Sequence, residues 1–275
     1  KGSSSLNTSE TYIYMAIRRP MKTPTSSDEV FAIDTRDGST SPEYKSGFPI
    51  DMALRRGDTT ATADFYNHSR LTQGKYLLTN TTGAEVAWSD VMFDYMNGYK
   101  DGATVINNDY SWMFKRAKGF FDVVAYTGDG VGGRTVNHNL GVVPEMMWVK
   151  SRGTAGTWFV WNKSLASINV MRLNGTIQSY DDTSAFNGTA PTDTALTVGT
   201  SIGTNYSTYT YIAYLFATLA GISKVGSYTG NGTSQTIDAG FSTGTKFLIA
   251  KRTDVAGDWI MVDSVRGLDN FLELN

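Results

Sequence analysis

The chain has 275 residues, of which 40% are hydrophobic and 18% charged, with a formal net charge of -2 and no cysteine. This near balance of charge, with no dense run of Lys and Arg, excludes the electrostatic footprint of a nucleic-acid binder. The missing thiols exclude disulfides and thiolate metal sites, and no stretch reaches the ~20 apolar residues of a membrane-spanning helix, so membrane insertion is not expected.

Residues 1 to 10 are polar and read as the tail of a preceding module or a linker. They hold neither Met nor the apolar centre of a signal peptide, so the chain is expected to start inside a longer product. Tyr12 to Ile17 is an aromatic and β-branched run closed by Arg18-Arg19-Pro20, where Pro cannot continue a ladder. Met21 to Asp28 predicts a linker, Val30 to Ile33 a strand, and Arg36 to Ser39 an Asp-Gly turn. Further strands are expected at Phe48 to Leu54, Asp64 to Tyr66 and Lys75 to Leu78. The stretches Val86 to Trp88 and Met92 to Tyr95 suit either strands or one short helix, and Tyr110 to Phe114 closes this part of the chain.

Phe120 to Tyr126 is a continuous apolar run suited to a strand covered on both faces. Tyr126-Thr127-Gly128-Asp129-Gly130 and Tyr228-Thr229-Gly230-Asn231-Gly232 predict one hairpin used twice, because Asp-Gly and Asn-Gly adopt positive φ easily. Short strands follow at Met146 to Lys150, Thr157 to Trp161, Val170 to Leu173, Ala195 to Val198 and Tyr209 to Phe216. No apolar stripe runs over three helical turns; single turns are expected only at Ser164 to Ile168 and Ser264 to Asn270.

Landmarks recur about one hundred positions apart: Arg56, Arg152 and Arg252; Phe65, Trp158 and Trp259; Asn80, Asn174 and Asn275; and the aromatic runs beginning at Tyr12, Tyr110 and Tyr211. The fold expected is therefore all-β, with tandem β-sandwich modules of jelly-roll or immunoglobulin-like type and a period of about 100 residues. Residues 1–28 are the end of a preceding module with its aromatic strand and a linker. Residues 29–118 and 119–219 are modules, and 220–275 a partial third. A partial module should expose unpaired strand edges, which a neighbouring chain or further residues would cover.

Candidate chemistry is sparse. His68 and His138 do not recur at one place, so a shared histidine base is not indicated. Asp263-Ser264 with Asp258 is replaced by Asn162-Lys163-Ser164 and Thr157 in the preceding copy, and turn formation accounts for it. Asp181-Asp182-Thr183 and Asn107-Asn108-Asp109 lack calcium-loop spacing and read as solvated turns. The triplets Asn80-Thr81-Thr82, Asn174-Gly175-Thr176 and Asn231-Gly232-Thr233 likewise read as turn composition. No catalytic, cofactor-binding or metal-binding residue is assigned.

Aromatics make up 12% of the chain; Trp112, Trp158 and Trp259 fall on repeat landmarks, as core residues do. Trp88 and Trp161 are the candidates for contact with a glycan or a partner. The cations Arg55-Arg56, Lys150 with Arg152, and Lys251-Arg252 stand at strand ends, where they would discourage edge pairing with other chains.

Several phrases in this sequence carry a family likeness: Tyr12-Ile-Tyr-Met-Ala-Ile-Arg-Arg-Pro, Gly119-Phe-Phe-Asp-Val-Val-Ala-Tyr-Thr-Gly-Asp-Gly, Asn139-Leu-Gly-Val-Val-Pro-Glu-Met-Met-Trp-Val-Lys, Tyr211-Ile-Ala-Tyr-Leu-Phe, and Lys251-Arg-Thr-Asp with Gly257-Asp-Trp. Over nearly its whole length the chain resembles the repeat modules of tail-fibre-like virion proteins of tailed bacteriophages, particularly marine ones. The resemblance implies a non-enzymatic structural protein of the phage particle, located in the virion and associated with other virion proteins, as a homo-oligomer. It leaves open a tail fibre, a capsid decoration or another appendage, with host-surface glycan as a further contact. Two departures stand out: Phe65 where the other copies have Trp, and a third copy that stops at Asn275. The rival reading is an array of carbohydrate-binding modules.

Overall fold

The computed structural model describes residues 15, 21–36, 41–57, 63–102, 109–267 and 269–275. Apart from Met15, the aromatic run Tyr12 to Ile17 lies outside the described residues, as do Asp37 to Ser39 and Asn107-Asn108. The strands in chain order are β1 (Phe31–Thr35), β2 (Tyr44–Lys45), β3 (Met52–Gly57), β4 (Tyr66–Ser69), β5 (Lys75–Leu78), β6 (Val86–Ala87), β7 (Gly98–Tyr99), β8 (Asp109–Phe114), β9 (Phe121–Thr127), β10 (Arg134–Asn137) and β11 (Met146–Ser151). They continue with β12 (Phe159–Asn162), β13 (Asn169–Arg172), β14 (Tyr180–Asp181), β15 (Ala195–Val198), β16 (Thr210–Phe216), β17 (Phe247–Ala250), β18 (Ile260–Asp263) and β19 (Leu272–Glu273). One short helix, α1 (Thr183–Phe186), precedes β15.

Two antiparallel six-stranded sheets share one strand order. The first runs β1-β8-β3-β4-β5-β6 and the second β9-β16-β11-β12-β13-β14, so in each the last long strand of the segment inserts between its first strand and the meander. Among the described residues, the third sheet is the meander β17-β18-β19. Small outer layers, β2-β7 and β10-β15, complete a sandwich on each six-stranded sheet.

The pleat explains where the cores sit, since successive side chains leave a strand on opposite faces. In β11, Trp148 turns to an inner cluster, whereas Met147 and Val149 turn to a separate outer one shared with β10, α1 and β15. In β3 and β8, Leu54 stands opposite Trp112 on the inner side, and Ala53 opposite Met113 on the outer side with Tyr44, Phe48 and Tyr99. The inner cluster is common to all three sheets: Trp112, Trp148, Trp158 and Trp259 are all at most 2% exposed within it. Burying each such side chain is worth roughly 1.5–3 kcal/mol, so the three sheets stabilise one another across one core rather than standing as beads on a string.

Several expectations change. Of the cations read as guards of strand edges, three are interior: Arg55 and Arg56 lie in β3, and Lys150 in β11 is wholly buried, whereas Arg252 is exposed. The hydrogen bonds of Arg56 and Lys150, described below, reach main-chain carbonyls of another segment, and that use is invisible until those carbonyls are placed. The Asp-Gly turn after β9 does not make a hairpin with β10, because β9 pairs with β16 and β10 with β15. It carries the chain from one layer to the other, while its counterpart at Tyr228 to Gly232 lies in exposed coil; Gly130 and Gly232 nonetheless adopt the same conformation, with φ of 77° and 76°. A helical turn appears at Thr183–Phe186, capped by Asp182; the corner after β12 and the described residues of the corner after β18 form turns and bends instead. Within the expected linker, Ser27–Glu29 forms a 3-10 turn capped by Ser26.

Candidate functional site

The residues that recur in the sequence meet at the seams between the sheets. Within each segment the landmark asparagine closes a turn: Asn80 Oδ1 accepts from the Phe65 amide at 3.4 Å, Asn174 from Trp158 at 2.8 Å, and Asn275 from Trp259 at 2.7 Å. The amide Nδ2 of Asn80 then donates to Asp64 and that of Asn275 to Asp258, at 2.9 and 3.0 Å. These bonds occupy two of the asparagines read as turn composition and give Asp258 a positioning partner.

Between segments the same four contacts occur twice. The Trp158 indole donates to the Leu78 carbonyl, and Trp259 to the Arg172 carbonyl, both at 2.8 Å. The Gly156 amide donates to Thr82 O and the Gly257 amide to Thr176 O. Glu85 N donates to Arg152 O and Ser179 N to Thr253 O. Lys150 Nζ reaches Thr82 O at 3.3 Å, and Lys251 Nζ reaches Thr176 O at 3.1 Å. The third segment meets the first differently. Phe65 has no indole donor, and Arg56, stacked over its ring at 4.7 Å, sends Nη1 to Glu273 O at 3.2 Å, while Thr79 Oγ1 donates to Leu274 O.

Burial pushes the Lys150 ammonium down to about 8, with no carboxylate to oppose it. Its Nζ donates to Thr82 O and Ser151 O. Lys251 is lowered for the same reason, with Asp258 pulling the other way.

The densest set of ionisable groups lies under the first sheet. Arg55 Nη2 bonds Asp109 at 2.5 Å and its Nε lies 3.1 Å from Asp101. Arg36 joins Glu43 at 2.8 Å, and His68 Nε2 stands 3.2 Å from Asp101. The Glu43 carboxylate also accepts the amides of Asp101 and Gly102, so it fastens the loop after β7. Burial pushes the Asp101 carboxyl up, but His68, Arg55 and Arg36 hold it below its ordinary range. The Arg55 guanidinium is disfavoured by burial and held well above its ordinary value by Asp101 and Asp109. This buried assembly contains a His–Asp pair, and the nearby Ser111 Oγ is bonded to Leu54 O and Tyr99. It does the work of a clamp.

The remaining candidates are placed as follows. His138 is a loop staple: its Nε2 meets Thr192 O at 3.1 Å, its Nδ1 accepts from Leu140 N, and burial lowers its pKa. Asp263 ends β18 by accepting the amides of Val265 and Arg266 and by pairing with the Arg266 guanidinium at 2.6 Å. Asn162 and Ser69 cap the corresponding ends of β12 and β4. Trp88 is half-buried, its indole bonded to Asp101 O at 2.8 Å and its ring edge-on to Tyr76. Trp161 is 4% exposed and lines a pocket of about 330 Å³ with Val143, Pro144, Leu165 and the Glu145–Lys163 ion pair. Among the described residues, no group of three or more His, Asp or Glu is placed to hold a metal ion, and no helix is long and apolar enough to cross a membrane.

Fold and seams together define an all-β protein of sandwiched antiparallel sheets around a shared aromatic core. The chain belongs to the family described as a domain of unknown function (DUF7483), whose model matches residues 97–274. No curated protein and no solved structure matches it.

Proposed function

We propose that this chain is a non-enzymatic structural protein of a tailed-bacteriophage particle, a tail fibre or another appendage, that works by presenting a rigid β scaffold. The observation that supports this reading is the reuse of one docking scheme. Segment two seats on segment one, and segment three on segment two, by the same four hydrogen bonds to main-chain carbonyls. Contacts to backbone groups tolerate change in the surrounding side chains, which suits a building block repeated along an assembly. The densest ionisable cluster is spent inside the fold, on closing a loop. Partners in this reading are other virion proteins and further copies of the chain, with the particle surface as its location and capsid decoration as the alternative position. The test is immunogold electron microscopy of purified particles with antibody raised against the chain. Label on tail or appendage is expected; label absent from particles and present only in the infected cell overturns the proposal.

A second reading, an array of carbohydrate-binding modules, draws on the pocket beside Trp161. It requires retention of the chain on host polysaccharide and loss of that retention in Trp161→Ala.

A further inference from the structure

The pocket beside Trp161 lies between the chain entering β11 and the corner leaving β12. Main-chain bonds fix its walls: Glu145 N donates to Phe216 O and Lys163 N to Glu145 O, both at 2.8 Å. Trp161 and Pro144 are buried in it and Leu165 is half-buried, which makes an apolar wall. Its polar side is the Glu145–Lys163 ion pair, 2.7 Å between Oε1 and Nζ, with Glu145 Oε2 accepting from Thr218 N at 3.1 Å. Burial pushes the Glu145 carboxyl up, but Lys163 and Thr218 hold it below its ordinary range, so the pair stays charged and the pocket carries no net charge. One polar atom is left over. The indole Nε1 of Trp161 is buried with no hydrogen-bond partner among the described residues, whereas those of Trp158 and Trp259 donate to carbonyls. Trp148 shares this lack, but it does not line the pocket. Nor does the repeat require an indole at this place: three positions after the landmark aromatic, the first segment has His68 and the third Val262.

Resting on the second reading above, that this pocket takes glycan, we propose that its ligand is a neutral acetamido sugar residue of the N-acetylglucosamine class, whose acetamido carbonyl accepts from Trp161 Nε1. A lone donor in an apolar wall calls for an acceptor oxygen attached to an apolar group, and a buried donor is costly until it is paired. An acetamido group supplies both, its carbonyl for the indole and its methyl for Pro144 and Leu165. The sugar hydroxyls then have Lys163, with two ammonium protons beyond the one facing Glu145, and the remaining lone pairs of the carboxylate. A plain hexose would set a hydrated hydroxyl against the apolar wall. A uronate would bring a second negative charge beside Glu145, whose cation is already paired. A peptide amide offers the same carbonyl but no hydroxyls for the ion pair. The volume of about 330 Å³ is at the lower end for small-ligand sites and suits a single residue.

The test follows the Trp161 indole N–H by heteronuclear NMR, the resonance being identified by its loss in Trp161→Phe, as the full chain is titrated with N-acetylglucosamine into the tens of millimolar. A saturable shift of that resonance is expected. Glucose and glucuronate should bind at least about tenfold more weakly, because a site built round a donor rejects analogues that leave it unpaired. Ala190 is exposed at the rim, so Ala190→Trp should fill the mouth and abolish the shift while the other indole resonances keep their places. Equal binding of glucose would overturn the acetamido assignment and leave the glycan reading standing. N-acetylglycinamide binding as tightly as the sugar would assign the pocket to peptide and overturn it, and a shift that persists in Ala190→Trp would place binding elsewhere and do the same. No shift with N-acetylglucosamine would also overturn it, and retention on host polysaccharide would then decide whether the glycan reading falls too.

Discussion

The Trp259 indole donates to the Arg172 carbonyl at 2.8 Å, across the seam between the third and second sheets, and Trp158 makes the same bond to Leu78 one seam earlier. Each bond satisfies a carbonyl at the end of a meander strand with a donor that is itself fully packed in the common core. A buried carbonyl left without a donor costs about 1–3 kcal/mol. Trp158→Phe and Trp259→Phe should therefore each lower the unfolding free energy by about 1–3 kcal/mol, read as a shifted urea midpoint. Arg56→Met, which removes the corresponding donor to Glu273, should fall in the same range. A loss confined to the two tryptophan variants would show that Arg56 contributes nothing to closure.

Asn174 accepts the Trp158 amide through Oδ1 at 2.8 Å. Asn174→Ala should cost about 1–2 kcal/mol, since the amide loses its acceptor, while Asn174→Asp keeps an acceptor oxygen and should lose less. Equal losses in the two variants, measured by chemical denaturation, would mean that volume rather than the hydrogen bond sets the effect.

The buried cluster under the first sheet predicts the largest single effects. Asp109 is wholly buried and bonded to Arg55. Asp109→Ala strands that guanidinium with one fewer anion, and breaking a buried pair from one side costs about 3–5 kcal/mol. Thermal unfolding should show a variant that is barely folded or unfolded at room temperature. A mild shift would mean that water reaches Arg55.

Stability should rise with pH above neutrality. Lys150 is lowered to about 8 in the fold, against the ordinary lysine value in the unfolded chain, so between these two values the unfolded state binds more protons. Raising pH from about 8 towards 10 relieves the cost of burying the charge, with a limiting slope of about 1.4 kcal/mol per pH unit. Above about 10 the trend reverses, because burial raises the pKa of Tyr44, Tyr99 and Tyr214, and their ionisation then favours the unfolded state. Urea midpoints from pH 7 to 10 check this, and Lys150→Met should flatten the rise.

Much of the local structure was legible in the chain. Runs such as Phe121–Thr127 and Thr210–Phe216 are strands because β-branched and aromatic side chains fit a pleated, covered surface. Trp158, Trp259, Asn174 and Asn275 stood out as landmarks, yet their joint purpose did not, because a side chain's acceptor is invisible until the chain returns to it. Arg56 and Lys150 were misread for the same reason: a cation at a strand end looks like an edge guard unless the carbonyls of another sheet are known to reach it. Trp161 looked available in sequence, and only packing against the outer layer shows that it is covered.

By itself the sequence determined an all-β chain whose strands, turns and recurring aromatic and asparagine positions follow from propensity and period-two patterning. Tertiary structure alone decided three things: that β8 and β16 insert between distant strands, that three inner faces share one aromatic core, and that Lys150 and Arg56 are interior. The physical reason is range. Propensity and alternation act over a few residues, whereas strand order, the choice of buried face and the satisfaction of a carbonyl 87 positions away depend on which surfaces exclude water together.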